Sequence, residues 1–278
     1  MQEQTGHFEG AKGLQLYWQA WLPDFPPKAV LAIVHGVGEH MGRYGNMVAA
    51  LVPVGYLLAG FDQRGHGRSE GQRGHIGSWD EFRADIGTFL AIARQMAPGL
   101  PVFLYGHSQG SLEVLDYILH DPSGLAGAII SGTALEPTDA APPHLVLVAK
   151  LLSGIAPTFS LKVNLDGASV SRDPQVARAY NEDPLVFWTR SVRWGTESLK
   201  AIAFIRSHAG ELNLPMLFLH GENDPLVSVA GAQNCYEQIR STDKSICTYP
   251  EGLHEPHNDL CHEQVMSDIR TWLDHHIQ

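Results

Sequence analysis

The chain has 278 residues and a formal net charge of -11, with 44% hydrophobic and 18% charged residues. That is ordinary for a globular protein long enough to bury a large core, and an acidic surface without any Lys/Arg cluster excludes nucleic acid as a partner, because its phosphates would be repelled. Three cysteines, Cys235, Cys247 and Cys261, are an odd count late in the chain and read as free thiols in a reducing compartment, not as a disulfide framework.

The first predicted strands are antiparallel. "GLQLYWQAWLP" alternates and is rich in aromatics, and "EGAKG" before it reads as a turn. Short, continuous apolar runs then follow at Ala29 to Val34, Tyr56 to Phe61, Val102 to Tyr105, Ala126 to Ser131, Met216 to His220 and Ser245 to Tyr249. Such runs suit strands covered on both faces. Helical patterns lie between or after them, at Arg43 to Val52, Ser78 to Met96 (with Ser78 able to cap), Ser108 to His120, Val229 to Arg240 and Glu263 to His275. Strands alternating with helices predict an α/β fold with a mostly parallel central sheet flanked by helices.

The alternation breaks between Leu135 and His208, where no strand is predicted. The segment is too long for a loop and reads as a helical cap insertion. The expected division is a core of residues 1–134 and 209–278 with a cap of 135–208. Within the cap, Leu145 to Leu152 is apolar nearly all round, broken only by Lys150. It is far below the ~20 residues of a membrane span. Two readings stand for it: a helix packed over a substrate tunnel, or a surface that touches micelles or membrane while lipid enters. The polar N-terminus shows no apolar signal region. The expected location is therefore cytoplasmic, with peripheral membrane contact through the cap.

"GHSQG" places Ser108 at the centre of G-x-S-x-G, after an apolar strand and before a helix pattern. A nucleophile on such a sharp turn needs flanking glycines for room and gains from the positive end of the helix. A neutral serine also needs a base, and the base needs an orienting acid. The chain offers them in the order this architecture uses, Ser, acid, His. "GENDPLVS" supplies Asp224, with Glu222 as its rival, and "EGLHEPHND" supplies His254, with His257 as its rival. Backbone N–H groups for an oxyanion are expected from Gln109 and Val37, the latter in "HGVGEH", where Gly36 and Gly38 let the backbone approach a substrate.

Together "VHGVGEHMGRY", "FDQRGHGRSEGQRGH", "GHSQG", "SGTAL", "ENDPLVS" and "EGLHEPHND" resemble the monoacylglycerol lipase and lysophospholipase branch of the α/β-hydrolases, from about Val34 to about Asp259. The resemblance implies a triad of Ser108, Asp224 and His254, an oxyanion hole at Val37 and Gln109, and a cap over an acyl tunnel. It also implies a polar subsite for glycerol at Glu39, Arg43 and His257, beside Gly36, unless Glu39 and Arg43 form only a structural pair. The implied reaction is ester hydrolysis through an acyl-enzyme, most directly of a monoacylglycerol, with a general carboxylesterase, a lysophospholipase or a proline iminopeptidase as the alternatives. No metal or organic cofactor is expected, and oligomeric state stays open. One departure concerns the elbow, where the family's G-H-S-M-G-G is "GHSQGS" here.

Other classes fit less well. "HEPH" is one residue short of the zinc motif H-E-x-x-H, and its proline breaks the helix that motif needs. "HGVGEHMG" places its third glycine one position late for a dinucleotide loop, with Glu39 where a pyrophosphate would approach. A non-catalytic binding protein on this scaffold would be expected to lack the serine or the histidine.

Overall fold

A computed structural model describes residues 1–139, 141–163 and 165–277. The chain opens with a hairpin, β1 (Gln2–Glu9) and β2 (Gln15–Leu22), closed by a tight turn at Ala11–Gly13. Then come β3 (Ala29–Val34), α1 (Gly45–Leu51), β4 (Tyr56–Phe61), α2 (Asp80–Met96), β5 (Val102–His107), α3 (Gln109–His120) and β6 (Gly127–Ser131). The inserted segment holds α4 (Pro143–Ile155), β7 (Ser160–Lys162), α5 (Pro174–Glu182), β8 (Thr189–Ser191) and α6 (Val192–His208). The chain returns through β9 (Met216–Gly221), α7 (Val229–Gln238), β10 (Lys244–Tyr249) and α8 (His262–His275).

Eight strands form one sheet in the order β1-β2-β4-β3-β5-β6-β9-β10. The pairs β1·β2 and β2·β4 are antiparallel, and the rest are parallel. The continuous apolar runs are explained by burial on both sides. Along β3, Val30, Ala32 and Val34 pack toward α2 and α3, while Ala29, Leu31 and Ile33 pack toward α1 and α8. All six are fully buried, and each larger side chain stabilises the fold by about 1.5–3 kcal/mol.

Two expectations need correction. The insertion does contain strands: β7 and β8 pair antiparallel as a separate ribbon. Each has only three residues and no apolar run, so no strand signal exists to read. Ser78 does not cap α2; Trp79 precedes the helix and no side chain caps it.

The end of the insertion is shared between layers. Ser191 caps α6 by accepting the Trp194 N–H at 3.1 Å. One side of α6 packs on α4, and Ala201, Ile202 and Ile205 join the core over α3. The three cysteines are free. No helix among the described residues is long and apolar enough to cross a membrane.

Candidate active site

Parallel strands converge on the site with their carboxyl ends, where loops are free to carry chemistry. Ser108 sits between β5 and α3 with φ 53° and ψ -119°, a backbone conformation that L-residues rarely adopt and that costs on the order of 1–3 kcal/mol. The neighbouring glycines are required by space. A Cβ at Gly106 would collide with the Gly110 carbonyl, and one at Gly110 with the Val34 carbonyl. The elbow is also clamped by hydrogen bonds. Ser108 N–H donates to the Ser131 carbonyl at 2.9 Å. Ser111, which stands where the family has its last glycine, donates its hydroxyl to the Ser108 carbonyl at 2.5 Å and accepts the Ala134 N–H at 3.1 Å.

The loops after β9 and β10 bring the other two groups to this point. His254 Nε2 lies 2.8 Å from Ser108 Oγ, and His254 Nδ1 lies 2.7 Å from Asp224 Oδ2. Asp224 is held in turn by the N–H groups of Leu226 and Val227, at 2.8 and 3.1 Å from Oδ1. With the carboxylate as acceptor, Nδ1 carries the proton and Nε2 is free to accept from the serine hydroxyl. Burial alone would lower the His254 pKa, but the charge and hydrogen bond of Asp224, helped by Glu255 and Glu39, raise it above 6.5. Burial likewise opposes ionisation of Asp224, and His254 outweighs it, holding the carboxyl below its usual range.

The rivals are elsewhere. Glu222 accepts from the Thr248 hydroxyl at 2.6 Å on an exposed face. His257 is fully buried, stacked on Tyr44 with ring centroids 4.9 Å apart, and its Nδ1 lies 3.3 Å from the Tyr105 hydroxyl. Burial pushes its pKa down to about 4.

Among the described residues, neither the Val37 nor the Gln109 backbone N–H donates to another group. Both residues line a cavity of about 490 Å³ together with Gly36, Glu39, Ser108 and His254. Gln109 is more than an amide donor. Its side-chain amide is fully engaged: Nε2 donates to Gln63 Oε1 at 3.0 Å and Glu113 Oε1 at 2.5 Å, while Oε1 accepts the Trp194 indole N–H at 2.6 Å. Burial drives the Glu113 pKa well above its usual range, against the hydrogen bond from Gln109. The polar residue in the family's methionine position thus ties the elbow to α6.

The expected polar subsite is only partly at the cavity. Gly36 and Glu39 are on its wall; Arg43 and His257 stand behind it. Glu39 accepts from Gly36 N–H at 2.5 Å and the Tyr44 hydroxyl at 3.0 Å. Arg43 is 3.5 Å from Glu39 Oε2 and 2.5 Å from Glu255 Oε2, and lies over the Tyr180 ring. Burial, then the Glu255 charge, raises the Glu39 pKa to about 7 against the pull of Arg43. Glu255 stays below its usual range; burial opposes this, and Arg43 and His257 outweigh it. Sequence reasoning passed over Glu255, although an acid between two candidate histidines, with an arginine needing a second partner, was a usable signal.

Leu145, Val146, Ala149 and Leu199 close the cavity from α4 and α6, giving it a mainly apolar roof. A serine hydroxyl beside an oriented imidazole, unpartnered amide donors and an apolar chamber can form and hydrolyse an acyl-enzyme on an ester with a greasy acid portion.

The comparisons agree. The family model described as serine aminopeptidase, S33, matches residues 26–261. A monoacylglycerol lipase of Mycolicibacterium smegmatis is 34% identical over 97% of this chain and 96% of its own length. The monoglyceride lipase of Homo sapiens is 32% identical over 96% of this chain and 89% of its own. The crystal structure of Paleococcus ferrophilus monoacylglycerol lipase superposes with a TM-score of 0.85 at 32% identity, covering 94% of this chain and 99% of that one. With the mostly parallel sheet and strand–elbow–helix already described, they establish that the chain belongs to the α/β-hydrolase serine hydrolases, in the family of the monoacylglycerol lipases.

Proposed function

We propose that this protein hydrolyses monoacylglycerols, releasing fatty acid and glycerol. The observation that carries the reading is the Asp224–His254–Ser108 relay, at 2.7 and 2.8 Å, opening into an apolar cavity. His254 Nε2 takes the Ser108 proton as Oγ attacks the ester carbonyl. The Val37 and Gln109 N–H groups hold the oxyanion. The imidazolium, stabilised by Asp224, gives its proton to the departing glycerol oxygen, and water then cleaves the acyl-enzyme by the same route.

Residues 135–208 act as the cap over the acyl chain, with α6 as its base. Glu39 meets the glycerol hydroxyls directly, and Arg43, Glu255 and His257 hold Glu39 in place. The outward side of α4 presents Leu147, Val148, Leu151 and Ile155 to solvent, at 56–85% exposure. A lipid surface is the natural contact for such a patch, and this supports peripheral membrane association during substrate entry. Neither metal nor cofactor takes part.

Fatty-acid release from a monoacylglycerol, beside a lysophospholipid and p-nitrophenyl esters of rising chain length, tests the reading. Turnover of the monoacylglycerol with a preference for longer acyl chains is expected; activity confined to short soluble esters would overturn the substrate assignment.

A further inference from the structure

The cavity carries a charge that this reaction does not use. Two other guanidiniums of the interior are surrounded by acids. Arg43 lies against Glu39 and Glu255, and Arg64 against Glu81 and Asp85. Arg190, in β8, is different. It lines the same cavity as Ser108, and among the described residues its guanidinium makes no hydrogen bond and no ion pair. Its contact is with the face of Trp194, whose ring centroid is 4.8 Å from Cζ. Asp139 also lines the cavity but lies beyond ion-pair distance, and its field does not offset the burial that holds the Arg190 pKa below its ordinary range.

Position makes this charge relevant to a bound ester. The Trp194 N–H donates to Gln109 Oε1 at 2.6 Å, and Gln109 follows Ser108 directly. The guanidinium therefore stands one indole ring from the elbow, on the wall of the chamber a substrate must occupy. An unpaired guanidinium on the cavity wall keeps its planar fork of donors free, and that fork matches two oxygens of a phosphate or carboxylate. Glu39, Glu255 and Asp139 line the cavity too, and Arg190 is the only Arg or Lys among its described lining residues.

We propose that Arg190 is an anion-recognising residue, and that the cavity accepts esters bearing a phosphate or carboxylate group as well as uncharged monoacylglycerols. The proposal deepens the reading of the Ser108 site as the centre of ester hydrolysis and rests on it. The anion has two chemical sources, the alcohol portion of the ester or the far end of its acyl chain.

Competitive inhibition distinguishes them, with p-nitrophenyl butyrate hydrolysis as the reporter so that lipid turnover is not required. One pair of probes is 1-O-decylglycerol 3-phosphate against 1-O-decylglycerol; the other is 11-carboxyundecanamide against dodecanamide. In the wild type at least one anionic probe binds about tenfold more tightly than its neutral partner, the range of a charge-assisted hydrogen bond. Arg190→Gln abolishes that ratio, and Arg190→Lys, which keeps the charge without the fork, retains part of it. Ratios near one in the wild type, or ratios that survive Arg190→Gln, overturn the proposal. Absence of reporter hydrolysis by the wild type would instead overturn the Ser108 reading.

Discussion

The floor and the roof of the cavity are held by different kinds of force. On the floor, Asp224, His254 and Ser108 are linked at 2.7 and 2.8 Å, and the elbow is fastened by Ser131, Ser111 and the Gln109 amide. Directional bonds of this kind locate atoms to within fractions of an ångström, as proton transfer demands. On the roof, α4 buries only Ser153, whose hydroxyl lies 3.0 Å from that of Thr196 in α6. Beyond that tie and the bond that Arg193 of α6 donates to the Ser153 carbonyl at 2.7 Å, α4 offers the chamber an apolar surface and shows solvent another. Non-directional contact of this sort accommodates chains of differing length and shape, so precision and tolerance are separated by layer.

The contrast is sharpened by attacking each layer in turn. Ser108→Ala removes the proposed nucleophile, and turnover is expected to fall by roughly 10⁶-fold, as happens when a triad serine is lost. Fluorophosphonate labelling disappears with it; labelling that persists would move the nucleophile elsewhere. Asp224→Asn leaves the floor's shape but favours the wrong imidazole tautomer, with kcat falling about 10⁴-fold and the circular dichroism spectrum retained. A fall of only a few-fold would make Asp224 a turn residue. A pH series reads the same relay. His254 must be neutral to act as base, and its pKa lies above 6.5. The acid limb of kcat/KM therefore has its midpoint above pH 6.5, with the rate dropping about tenfold per pH unit below it. A midpoint well below 6.5 would contradict the influence of Asp224.

The smallest effect is expected on the roof. Leu147→Ser with Leu151→Ser alters exposed positions, at 60% and 64% exposure, outside the cavity lining. Hydrolysis of vesicle-borne monoacylglycerol falls a few-fold and liposome flotation weakens, because the two side chains reach only part-way into the lipid. p-Nitrophenyl butyrate hydrolysis keeps its rate. Equal losses on both substrates would mean the two leucines stabilise the cap and have no part in lipid contact.

What could be read from the amino-acid sequence follows the same division. The runs at Ala29 to Val34 and Tyr56 to Phe61 coincide with β3 and β4 at both ends, because burial on two faces leaves an unbroken apolar signature. The order of Ser108, Asp224 and His254 was legible because the elbow's glycines mark a turn that few other residues can make. The ribbon of β7 and β8 was not legible, since it is held by three residue pairs and little apolar burial. Nor was the retreat of Arg43 and His257 behind the wall, which depends on Glu255 and Tyr44 meeting them in space. The side-chain role of Gln109 needed Trp194, which lies 85 residues further along the chain.

The histidines beneath the site have a consequence for where this protein can stay folded. His35, His66, His107, His220 and His257 are all at most 1% exposed. Burial pushes His35 and His66 down to about 3 and His257 to about 4, and lowers His107 and His220 as well. In the unfolded chain each would titrate near 6.5. Below that pH the unfolded state takes up protons that the native state refuses, so stability falls as acidity rises, by up to about 1.4 kcal/mol per pH unit for each such ring until its folded pKa is reached. These five rings outnumber Glu39 and Glu113, whose raised pKa values favour the native state in acid, and the balance is visible as a loss of melting temperature between pH 6.5 and 4. The interior that positions the chemistry thereby confines it to surroundings near neutrality.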